Sequence, residues 1–208
     1  MLRLVTERAL RLVTAPAEPA VTLDEAKRHT RIDHNDDDGY IASLVDTAIS
    51  LIDGASGWLG RALVTQTWDY ALDMFPRRCA GDVRRYLPIV IPLAPTATVS
   101  TVTYTAQDGT DTSLTDFRTF NVAASQPAYI VPAIDGSWPI AKCEPEAVRI
   151  RFIGGYGNAT KVPSNIRHAI LLMVGHWYEH REDSAAMTLN SIPLDAKRLL
   201  TPIRNWRG

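Results

Sequence analysis

The sequence predicts an α+β fold, in which two N-terminal helices pack on a long C-terminal helix plus a short terminal helix and carry an inserted small antiparallel β lobe. Three observations predict it. Apolar residues recur at spacings of three and four from Thr22 to Gly57 and again from Val162 to Asp183, as helices with a buried face require. Between Arg61 and Ile153 the period falls to two, as strands require. Neither helical stretch is large enough to fold alone, so the simplest construction packs one on the other with the β block between them. The expected division is an extended arm over 1–21, a helical core from 22–60 and 162–201, a β lobe over 61–161 and a tail over 202–208.

The arm holds Arg-Leu-Val-Thr twice, ending at Thr6 and Thr14, which is too little for a repeat architecture, and Pro16 and Pro19 keep it extended. Thr22 then opens a short helix to Thr30, with Glu25 three positions on completing a capping box. Asp36, Asp37 and Asp38 precede a second helix, where carboxylates favour the positive end of the dipole. Its stripe is Ile41, Leu44, Val45, Ala48, Ile49, Ile52 and Ala55, and Gly54, Gly57 and Gly60 end it near Gly57.

In the β block, Trp68, Tyr70, Leu72 and Met74 alternate with Thr67, Asp69, Ala71 and Asp73, and Val148, Ile150 and Phe152 alternate again. Val99 to Thr105 is rich in β-branched residues, and Asp108-Gly109 reads as a two-residue hairpin turn with positive φ at both positions. Eight prolines between Pro76 and Pro145 predict short strands and argue against long central ones.

After the Gly154–Gly157 turn comes the chain's most apolar helix, with Pro163 in its first turn and His180 and Arg181 at its carbonyl end. Ile166, Ala169, Ile170, Met173, Val174 and Trp177 form one stripe; Leu171, Leu172 and Tyr178 fall off it and predict packing on two sides. A short helix follows from Ile192-Pro193-Leu194 to Leu200 and stops at Pro202.

The chain has 208 residues, 46% hydrophobic, enough for a real core in one domain or two small ones. With 22 basic and 23 acidic residues, it lacks the global basic field of a nucleic-acid coat or membrane-surface protein. No apolar run approaches the ~20 residues of a membrane span, and charges run through the place of a signal h-region. Cys79 and Cys143 read as free thiols without metal-ligand spacing.

The most tempting chemistry is His176, Glu179 and His180, spaced as H-x-x-E-H on a helix, where two histidines four apart can chelate zinc beside a general base. A third ligand well downstream is missing, since Glu182, Asp183 and Asp195 all lie near the chain end; a helix cap or an interface is the better reading. Asp33, Asn35 and Asp37 imitate a calcium loop, but Asp38 stands at its glycine and Leu44 at its bidentate glutamate. The glycines at 154, 155 and 157 lack the lysine of a phosphate loop. No catalytic residue, metal or cofactor is expected. By contrast Ile203, Arg204, Trp206 and Arg207 follow a helix-breaking proline and include the residue types enriched in interface hot spots. Either Trp206 folds back on its own domain or this tail docks into a partner.

Four blocks in order, AVTLDEAKRHTRID, GRALVTQTWDYALDMFP, GSWPIAKCEPEAVRIRFIGGYG and VPSNIRHAILLMVGHWYEHRE, resemble the tailed-phage head–tail connectors (adaptors) of the gp6-like and phiE125 gp8-like class. The residues before the second Arg-Leu-Val-Thr depart from that pattern, as does Gly175, where alanine is expected.

The resemblance implies a non-enzymatic virion component, made in the host bacterial cytoplasm, of a phage or a gene transfer agent. It implies a ring of about a dozen copies beneath the portal protein. The ring extends a channel through which DNA slides without sequence-specific binding, which near-neutral charge suits. It also offers a docking surface to stopper and tail-completion proteins. By position, Leu199, Leu200, Ile203, Arg204, Trp206 and Arg207 are expected at the portal, and His176, Tyr178, Glu179 and His180 at a subunit boundary. The alternatives are another neck protein, such as a stopper or tail terminator, and, far behind, a zinc hydrolase using His176, Glu179 and His180.

Overall fold

In the computed structural model the described residues are 7–76, 87–123, 126–134, 136–180 and 192–205. The chain forms two compact units: a β unit from Met1–Ala15 and Gln66–Gly155, and a helical unit from Pro16–Thr65 and Tyr156–Gly208. Together they make an α+β protein with four helices and two antiparallel sheets among the described residues.

The helical unit holds α1 (Leu23–Thr30), α2 (Asp38–Ile52), α3 (Ser164–Glu179) and α4 (Leu194–Leu200). The capping box of α1 is formed: the Glu25 N–H donates to Thr22 Oγ1 at 3.3 Å, and the Thr22 N–H donates to the Glu25 carboxylate at 3.0 Å. Lys27 Nζ reaches Asn35 at 2.7 Å and Asp38 at 2.6 Å, which ties the acidic turn back to α1.

Helix α2 stops at Ile52, about one turn short of the expected end at Gly57. Asp53 leaves in extended backbone, its Oδ1 accepts the Leu63 N–H at 2.9 Å, and Gly54 at φ 74° donates to the Arg61 carbonyl at 2.7 Å. Gly57 then passes so close to the helix end that a Cβ there would lie 2.3 Å from the Asp53 carbonyl oxygen, so only glycine fits.

Helix α3 touches α1, α2 and α4, and the stripe read from its spacing, Ile166 to Trp177, is buried. Each large aliphatic side chain buried there contributes about 1.5–3 kcal/mol. Leu171, Leu172 and Tyr178 are half-buried against the same core. Pro163 stands before the helix as its cap rather than inside the first turn, and its carbonyl accepts the N–H groups of Ile166 and Arg167 at 3.0 and 3.2 Å.

The larger sheet of the β unit has the order β1-β2-β8-β4-β5, with β1 at Glu7–Thr14, β2 at Gln66–Leu72, β4 at Thr96–Thr105, β5 at Asp111–Leu114 and β8 at Val148–Gly154. A second sheet orders β3 (Ile89–Val90), β7 (Tyr129–Pro132) and β6 (Phe117–Phe120). Leu10, Tyr70, Ile150, Val102 and Leu114 lie opposite one another across the large sheet, so the period-two pattern puts them on one face.

Four further expectations need correction. The expected N-terminal arm supplies an edge strand, because Leu10 and Leu12 alternate with Arg11 and sit opposite Tyr70 and Trp68. Strand β4 runs ten residues, since the prolines fall between strands or at their ends rather than inside them. The hairpin turn carries positive φ at Gly109 alone; Ala106 accepts the Gly109 N–H at 2.9 Å and donates to the Thr110 carbonyl at 2.8 Å, a turn closed by a glycine bulge. Residues 61–65 and 156–161 belong with the helices, because Leu63 and Val64 are buried among them and the Tyr156 N–H bonds the Leu63 carbonyl at 2.9 Å.

Candidate docking surfaces

The H-x-x-E-H string ends α3. The His176 and His180 rings lie 4.5 Å apart, and His180 Nδ1 lies 2.8 Å from the His176 carbonyl, a capping bond at the helix end. His176 Nε2 is buried without a partner, while Glu179 and His180 are exposed. Among the described residues no three histidine, cysteine or acidic side chains gather as a metal site. Cys143 is an exposed free thiol; Cys79, Glu182 and Asp183 lie outside the described residues.

Tyr178 faces its own unit. Its hydroxyl donates to Asp37 Oδ2 at 2.6 Å at the start of α2, and its ring lies 6.2 Å from that of Tyr40. On the α1 side, Gly175 lies under His29, and a Cβ there would come within 3.4 Å of the imidazole. His29 in turn meets His168 edge-on at 6.1 Å.

The C-terminal segment is held by a clamp that sequence reading missed. Arg61, buried in the LGRALV run, donates from Nε to the Ile203 carbonyl and from a terminal nitrogen to Tyr156 Oη at 3.3 Å. Burial raises the Tyr156 phenol, and the Arg61 charge and hydrogen bond partly offset it. The Asn205 N–H donates to the Leu59 carbonyl at 2.8 Å, Asn205 Nδ2 to the Gly60 carbonyl at 3.3 Å, and the Arg204 guanidinium sits 4.3 Å from the centre of the Trp58 ring. A single arginine inside an otherwise apolar run was the signal, because a buried charge must find partners.

This clamp sorts the residues expected at the portal. Leu200 is fully buried in the helical core, so its side chain has no exposed surface to offer a partner. Leu199 and Ile203 are half-buried against that core, and Arg204 is half-exposed on Trp58. Trp206 and Arg207 lie outside the described residues.

Exposed large apolar side chains concentrate in the β unit. Val90 and Phe120 lie in strands of the small sheet, where Phe120 stacks on Tyr129 at 5.3 Å, and Val122 just follows β6; Ile134 and Ile140 lie between β7 and β8, and Leu12 and Val13 on β1. The helical unit exposes Tyr40 and Leu194.

Residues 20–73, spanning α1, α2 and β2, match the family model of the phage gp6-like head-tail connector protein. The gp6-like resemblance therefore holds over that stretch, about a quarter of the chain. No curated protein matches the chain in sequence. Among solved structures, a chain of the virion of a native gene transfer agent particle shares the fold with a TM-score of 0.73 at 24% identity, over 97% of each chain. The neck of an empty particle of that kind, computed with C6 symmetry, gives 0.71 at 24% identity over 97% of each chain. The neck of the native particle, computed with C12 symmetry, gives 0.70 at 23% over the same shares. These likenesses are likenesses of fold, and they run through both units, well beyond residues 20–73.

Proposed function

We propose that this chain is a structural head–tail connector in the neck of a tailed phage or phage-like particle. It would form a ring beneath the portal protein, extend the DNA channel and offer stopper or tail-completion proteins a surface to dock on. The observation that supports this best is a fold shared over 97% of both chains with chains of particle necks, joined to a gp6-like connector match at residues 20–73. The part calls for binding without turnover, and DNA would slide through the ring held only by passing contacts.

In this reading the portal contact is made by the last residues, with Trp206 and Arg207 at its centre and Leu199, Ile203 and Arg204 at its base. His176, Tyr178, Glu179 and His180 would lie toward a subunit boundary. Because Asn205 is bonded to Leu59 and Gly60, a truncation that tests docking must begin after it. Deleting Trp206 to Gly208 is expected to leave a folded chain that no longer joins the portal, while capsids fill but carry no tails. Normal tailed particles from that deletion would refute the docking role.

A further inference from the structure

We propose that the two open edges of the large sheet, β1 and β5, pair between neighbouring copies of this chain, so that a ring of copies is stitched by backbone hydrogen bonds. This rests on the ring reading above and says which surfaces close it. Among the described strands β1 pairs only with β2, and β5 only with β4. An edge strand presents a row of unpaired N–H and C=O groups, a template for another chain unless something blunts it.

The β1 edge is only partly blunted. Register breaks at Glu7/Ala9 and Leu12/Thr14 confine regular pairing to Ala9–Leu12, but Leu12 and Val13 stay 47% and 46% exposed. Strand β5 is also four residues long, Asp111–Leu114. The edges differ in charge. Arg11 keeps 62% of its side chain exposed although it pairs with Glu146, and Asp111 keeps 63% although it pairs with Arg149. An edge with a cation and an edge with an anion suit a head-to-tail contact, which a ring needs, better than a two-fold contact, which would set Arg11 near Arg11.

Direction and register agree. Each strand in the order β1-β2-β8-β4-β5 is antiparallel to its neighbours, so β1 and β5 run the same way and would meet as a parallel pair. Placing Ala9 to Leu12 beside Asp111 to Leu114 sets Leu12 beside Leu114 on the apolar face. It sets Arg11 beside Ser113 on the charged face, one diagonal step from Asp111. Both faces of the sheet would then continue from copy to copy.

A disulfide between Arg11→Cys and Ser113→Cys, in a chain with Cys79→Ser and Cys143→Ser, tests this. Within one chain the two positions lie four strand spacings apart, about 19 Å, beyond the reach of a disulfide, so any bond joins two chains. The expected result, on oxidation of rings assembled with portal, is a reducible ladder climbing to the full ring, absent from either single variant. Leu12→Lys is expected to abolish ring formation with an unchanged circular dichroism spectrum. Rings that form without the ladder would overturn the edge pairing and leave the neck reading standing. Dimers from Arg11→Cys alone would overturn it in favour of a two-fold contact. Failure of the unsubstituted chain to form rings with portal would overturn both.

Discussion

Arg61 holds the carbonyl oxygen of Ile203, so a residue from the turn after α2 fixes the path of the C-terminal strap. The guanidinium is buried and serves Tyr156 as well, so no apolar substitute can replace both bonds. Arg61→Met is expected to cost about 1.5–3 kcal/mol, the range for a hydrogen bond to a charged group. Amide exchange at Arg204 and Asn205 should rise more than exchange in α3. Equal protection of the strap in both proteins would show that Arg61 does not hold it.

Glu25 joins α1 to α3 by its ion pair with Arg167 while completing the cap of α1. Burial opposes its ionisation, but the Thr22 N–H bond and the Arg167 hydrogen bond and charge outweigh that and hold the carboxyl below its usual range. A lowered folded value stabilises the protein above the ordinary carboxylate range and loses that contribution as pH falls through the folded value. Glu25→Gln should therefore lower Tm at pH 7 by about 2–4 °C, the shift for roughly 1 kcal/mol in a chain of this size. The gap to wild type should narrow as both are melted at progressively lower pH.

Gly175 sits inside α3, where alanine is favoured by roughly 1 kcal/mol. A Cβ there would meet the exposed His29 ring at 3.4 Å, a contact that a surface side chain relieves by a small rotation. Gly175→Ala should raise Tm in a thermal melt. A fall would mean that the His29 ring cannot yield and that α1 packs on α3 without slack.

Leu199 and Leu200 are adjacent but differ in burial. Leu200→Ala removes a fully buried side chain and should cost about 2–5 kcal/mol in chemical denaturation. Leu199→Ala, from a half-buried site, should cost far less while weakening portal binding if that side of α4 faces the portal. Equal losses of stability would remove Leu199 as a docking residue.

Periodicity made the helical unit legible: the stripes of α2 and α3 and the capping box of α1 are local patterns that tertiary structure had only to bury. What escaped sequence reading depends on long-range bonds. The early end of α2 follows from Asp53 bonding Leu63, and the join of β1 to the sheet from pairing with a strand more than fifty residues away. The candidate surface was legible as residue types near the C-terminus. Its anchoring was not, because an arginine at 61 gives no local sign that it will bind a carbonyl at 203.

Whether the chain occupies the neck as a connector is tested most directly by mixing the purified chain with purified portal and imaging the complex. The expected result is one ring of this chain seated on the tail-facing side of the portal, continuing its channel. A folded chain that leaves the portal bare, or joins only after another neck protein has filled that position, would contradict it.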